Sequence, residues 1–133
     1  MAEGFEPHRE GAPLESAEVL PEQTLATLLD RGIALFDSGR HWHAHEAWEE
    51  AWRGAPPAEQ AFFQGLIHVA AALVHHAKGN PEGFRLQTDK MRARLGGYAE
   101  VYRHVHLRVL VDAVLALPPP GTKADYPVVP RDQ

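Results

Sequence analysis

Proline and glycine punctuate this chain at intervals that suit helices, and that punctuation constrains the fold more than any other feature. Pro21 suits a first helical position and Glu22 a first turn. Leu25, Leu28, Leu29, Ile33 and Phe36 follow at helical spacing and stop at Ser38-Gly39. A second helix is predicted from about His41 to Arg53, closed by Gly54-Ala55-Pro56-Pro57, and a third beginning after Pro57 and running to Lys78, capped by Gly79. Asn80 and Pro81 make an N-cap and first-turn pair for a fourth helix that stops at Gly96-Gly97. A connecting stretch through Tyr98–His104 leads to a fifth helix, about 106–117, ended by Pro118-Pro119-Pro120-Gly121.

No strand pattern competes with these helices, and connections of two to five residues favour antiparallel neighbours. The expected fold is all-α: a compact bundle of about five antiparallel helices over residues 21–117. Residues 1–20 read as a disordered acidic tail and residues 118–133 as an extended C-terminal tail. At 133 residues the chain is one domain, long enough to bury a core.

With no cysteine, disulfides, iron–sulfur clusters and thiolate zinc sites are excluded, and a metal would need His and carboxylate ligands. The N-terminus lacks the charged and apolar regions of a signal peptide, and no apolar run approaches the roughly 18 residues needed to span a bilayer. Cytoplasmic residence without membrane association is therefore expected. Residues 1–22 hold six glutamates against Arg9 alone, while the rest balances twelve acidic with twelve basic residues. A neutral body with an acidic tail argues against nucleic-acid binding. The basic set Arg85, Lys90, Arg92 and Arg94 spreads around its helix and reads as a solvated face.

The residues that could carry chemistry crowd into the second helix, which holds Trp42, Trp48, Trp52, His41, His43, His45, Glu46, Glu49 and Glu50. At about 100° per residue, Ala44, Ala47, Trp48 and Ala51 share one face with Trp52 at its edge. His45 and Glu49 stack one turn apart beside Trp52, and Glu46 projects about 100° further round. The third helix is apolar over most of its circumference and is predicted to be central. Its one polar stripe is Gln64, His68, Ala71 and His75. Buried polar groups need partners, so His45, Glu49, Gln64 and His68, with Glu46 and His75 as further members, are expected to converge between helices two and three.

Three readings fit that cluster. It is a polar network that fixes helix pairing, a small-molecule pocket walled by Trp42, Trp48 or Trp52, or a metal site or metal-assisted hydrolase. The pocket reading takes His45, Glu46, Glu49, Trp48, Trp52, Gln64 and His68 as ligand-binding residues, and the metal reading takes His45, Glu49 and His68 as ligands. A zincin H-E-x-x-H is absent, since Glu49 occupies the place of its second histidine. Nucleophilic catalysis and phosphate loops find no support. His41, His43 and His76 are expected to titrate in solvent.

Phe36, Gly39, the run His45-Glu46-x-Trp48-Glu49-x-x-Trp52, Phe63-Gln64-Gly65-Leu66-Ile67 with Ala70-Ala71, and Gly79-Asn80-Pro81-x-Gly83 together resemble a bacterial and archaeal family catalogued as domain of unknown function 309. The resemblance spans roughly residues 24–117, with His68 standing where glutamine is usual. It implies an all-helical fold and a shared motif on His45, Glu46, Trp48, Glu49 and Trp52, and it implies no activity. Gly39-x-x-Trp42-x-Ala44 also resembles the turn of a tetratricopeptide-like hairpin, without a second copy at a 34-residue period.

Two functional expectations follow. In one, a small helical protein holds a polar pocket between helices two and three for a small molecule or metal. In the other, a non-enzymatic interaction or scaffolding module uses the same cluster as structural glue. Tryptophans and alanines left over from the core would also suit self-association into a homo-oligomer. Cofactor and reaction stay open.

Overall fold

The breakers act where the sequence places them. A computed structural model describes residues 18–132, so the tail expected over residues 1–20 lies outside the described residues up to position 17. Leu20 is already fastened: its N–H donates to Gly54 C=O at 2.8 Å, and its side chain occupies the space where a Gly54 Cβ would be.

Helix α1 spans Glu22–Asp37 and ends as Gly39, at φ +85°, turns the chain. Helix α2 spans His41–Arg53, and α3 spans Pro57–Ala77 with proline in its first turn. Helix α4 spans Pro81–Leu95, and Asn80 caps it by accepting the Gly83 N–H at 3.0 Å. Helix α5, Leu107–Leu115, is shorter than expected.

The stretch before α5 is a correction. Val101–Tyr102 (β1) and Val105–His106 (β2) form an antiparallel hairpin, with Val101 opposite His106 and Tyr102 opposite Val105. Two-residue strands are too short to show alternation, and the turn lacks the Asn-Gly signal of a tight hairpin. Its central residues, Arg103 and His104, take φ +49° and +65°, a conformation that costs a non-glycine residue energy. Arg103 is held there by its contacts. Its guanidinium bonds Glu59 at 2.5 Å and Glu22 at 2.6 Å, joining the hairpin to the starts of α3 and α1. Tyr102 donates its hydroxyl to the same Glu59 carboxylate at 3.0 Å. These partners, Arg103 first, hold the Glu59 carboxyl below its usual range.

The helices pack in sequence order: α2 lies against α1 and α3, α4 against α3, and α5 against α4 and α3. Phe62, Phe63, Leu66, Ile67 and Leu73 of α3 are wholly buried, meeting Phe36, Trp48, Met91 and Leu110 from the surrounding helices in one core. Trp48 sets the α1–α2 spacing. Its indole N–H donates to Leu29 C=O at 3.2 Å, and its ring fills the space beside Gly32, where a Cβ would lie 2.1 Å from Nε1.

Residues 118–132 are extended for much of their length, and they are docked on the bundle. His76, wholly buried at the end of α3, donates from Nε2 to Pro118 C=O at 2.7 Å and accepts the Tyr126 hydroxyl at Nδ1 at 2.9 Å. Val129 N–H donates to Asp37 at 2.8 Å, and Arg131 pairs with Asp30 along α1. His106 N–H reaches Pro130 C=O at 2.9 Å and Asp132 N–H reaches His104 C=O at 2.9 Å. This covering corrects the solvent-exposed reading of His41 and His76. Tyr126 sits edge-on to both rings, at 5.4 and 5.3 Å between centroids. Of the three histidines expected in solvent, His43 alone is exposed.

Gly32 supplies a test of the close packing of α1 on α2. Gly32→Ala adds a good helix former but drives a methyl into the Trp48 ring, and is expected to destabilise the protein by about 1–3 kcal/mol in urea denaturation. A midpoint equal to or above the parent's would mean that the indole yields freely and does not set the spacing.

Candidate functional site

His45 of α2 and His68 of α3 come close to one another, and α4 closes over His68. His45 is 4% and His68 1% exposed, and the two imidazoles are near enough to interact electrostatically. His68 sits on an otherwise apolar stretch of α3, where an unbonded ring would be costly. Gln87 of α4 meets it: His68 Nδ1–H donates to Gln87 Oε1 at 2.7 Å. That bond fixes the ring's tautomer and orientation.

Burial dominates the electrostatics of this seam. It lowers the His68 pKa to about 4 against the opposing hydrogen bond from Gln87, with Lys90, Arg94 and His45 pushing the same way. Burial also lowers His45, against the attraction of Glu49 and Glu46. Both rings are therefore neutral near pH 7 and act as hydrogen-bonding groups, not as charges. An imidazole that protonates near pH 4 is a weak base, so the arrangement suits binding and orientation better than proton transfer.

The other residues singled out in the sequence are dispersed. Glu49 is half-buried and pairs with Arg53 at 3.5 Å. Gln64 is half-buried on the same face of α3. His75 accepts the Asn80 side-chain amide at Nδ1 at 3.1 Å and belongs to the α3–α4 turn. Trp48 is core, and Trp52 packs half-buried against it. Glu46 is exposed and faces α1. Among the described residues no three His, Cys, Asp or Glu side chains are grouped so as to hold a metal ion. Of the three expected metal ligands His45, Glu49 and His68, the His68 ring is engaged by Gln87 and the Glu49 carboxylate by Arg53.

Trp42 is the residue that site reasoning left at the margin. It is 53% exposed, yet its ring lies flat on the buried His45 imidazole, 4.7 Å between centroids and 8° from parallel. Beside it, between the start of α2 and the end of α3, runs a groove of about 360 Å3. Its wall includes Arg40, His41 and Trp42 on one side and Leu73, Val74 and Lys78 on the other. His41 Nε2 is buried in that wall with no hydrogen-bond partner among the described residues. In the sequence Trp42 is one of three tryptophans offered as a pocket wall, and the Gly39-x-x-Trp42 spacing marks the same place.

Residues 29–86 match the family model described as Domain of unknown function (DUF309). The DUF309 resemblance is real. It runs from Leu29 in α1 to Leu86 in α4, a shorter span than residues 24–117, and takes in His45, His68 and the Trp42 groove. Gln87, the hairpin, α5 and the docked C-terminal segment lie beyond the DUF309 match. No curated protein matches the chain, and no described helix is long and apolar enough to cross a membrane.

The seam predicts a pH dependence. An unfolded histidine titrates near 6.5, whereas His68 in the fold resists protonation down to about 4. Between those values the unfolded chain binds more protons. This contribution is therefore fully present above pH 6.5 and is lost as pH falls towards 4, by on the order of 3 kcal/mol. Urea midpoints measured from pH 7 to 4.5 should fall, and His68→Gln, which cannot protonate, should flatten the fall. An equally steep decline in that variant would assign the acid sensitivity to other groups.

Proposed function

We propose that this protein binds a planar, anionic small molecule in the groove between α2 and α3. The observation that carries the proposal is Trp42, a large aromatic ring left more than half exposed but held parallel on a buried histidine. An exposed indole fixed in one orientation is a platform for stacking. Arg40 and Lys78 line the same groove and no carboxylate does, so its charge favours an anion. The unpartnered His41 Nε2 adds an uncompensated polar atom of the kind structures retain at sites. In this reading His45 is not a base or a metal ligand. It is the support beneath the platform, and His68 with Gln87 closes the seam behind it. This reading draws on Trp42, Arg40, His41 and Lys78, which line the groove.

A second reading, a helical interaction module, draws on the same exposed Trp42, because large aromatics are enriched at the centres of protein contacts. Titration separates the two. Naphthoate should change the tryptophan fluorescence saturably, naphthalenemethanol should bind more weakly, Trp42→Ala should abolish the response, and Lys78→Ala should weaken it about tenfold. No saturable response, or one that survives in Trp42→Ala, would overturn the small-molecule reading. Self-association that Trp42→Ala abolishes would favour the interaction module.

A further inference from the structure

His45 turns into the seam, and Glu46, its neighbour in the chain, turns the other way. Glu46, Ala47 and Glu50 form one wall of a groove of about 310 Å3 between α2 and α1. Arg31 and Leu35 of α1 form the facing wall, with Arg40 at the end. Glu46 and Glu50 are four residues apart, a spacing at which like charges destabilise a helix. Two arginines line the same groove, yet among the described residues no ion pair joins Arg31, Arg40, Glu46 or Glu50 to any other group. The positive and negative walls, with Leu35 and Ala47 as their apolar parts, face each other without an ion pair between them.

Walls of opposite charge, each with an aliphatic part, complement a molecule that carries both charges and an aliphatic group itself. We propose that this α1–α2 groove is a second binding site, for a small aliphatic zwitterion of the amino-acid type. The guanidinium groups of Arg31 and Arg40 take the carboxylate, an anion whose geometry matches their donors. Glu46 and Glu50 take the ammonium, and Leu35 and Ala47 meet the side chain. The groove lies on the other side of the ridge made by Arg40 and His43, which line both it and the Trp42 groove.

L-leucine is the probe, with isocaproate lacking the ammonium and isopentylamine lacking the carboxylate. Amide chemical shifts of the full chain are followed as each is added. Leucine should shift the Arg31, Glu46 and Ala47 amides saturably, and each single-charge analogue should bind about tenfold more weakly. Glu46→Gln and Arg31→Gln, both at exposed positions, should each weaken leucine binding about tenfold while leaving the melting temperature near the parent's. Trp42→Ala should leave leucine binding intact. The proposal is overturned if leucine gives no saturable shifts, if both charge variants bind it as the parent does, or if isocaproate binds as well as leucine.

Discussion

The rest of the structure depends on enclosing α3. A 21-residue helix that is apolar on nearly every side must be covered over most of its surface, and α2, α4 and α5 do so together with the C-terminal segment. That enclosure decides the fate of each polar group on α3. His68 is sealed in and needs Gln87, and His76 is sealed in and needs Pro118 and Tyr126. Both rings meet partners from later elements, so the polar residues of the central helix specify which elements must arrive to cover it. The cost of leaving either ring unbonded makes these pairings selective.

The same enclosure separates the roles of adjacent residues in α2. Trp48 goes to the core and sets the distance to α1 through Leu29 and Gly32. His45 goes to the seam, Glu46 to the α1 side, and Trp42 lies over His45 at the surface. One short helix thereby faces three environments, and a motif that reads as a single site in one dimension is divided among core, seam and groove. A buried imidazole beneath an exposed indole is a rigid arrangement, and rigidity lowers the ordering cost of binding a flat ligand.

Helix boundaries were legible because glycine and proline act locally. Gly39, Asn80 and Pro81 perform in the structure the roles their chemistry assigns. The convergence of His45 and His68 was legible from two wheels and the requirement that buried polar groups be paired. Gln87 was not, because it sits 19 residues beyond His68 on a helix whose hydrophobic pattern is weak, and nothing local marks it as a partner. The hairpin escaped because its strands are two residues long and its turn is built on Arg103 and His104. The burial of His41 and His76 escaped for another reason. What covers them is an aperiodic segment, and periodicity is silent about where such a segment lies.

The contacts that finish the molecule span the greatest lengths of chain. Helices α1 to α4 meet their neighbours across short turns, so these pairs have low contact order and carry little loop-closure cost. Arg103 reaches back 81 residues to Glu22, and Arg131 reaches back 101 residues to Asp30. Such contacts repay their entropy only once the bundle exists. The hairpin and C-terminal segment therefore act as a latch that draws its stability from the helices it closes over.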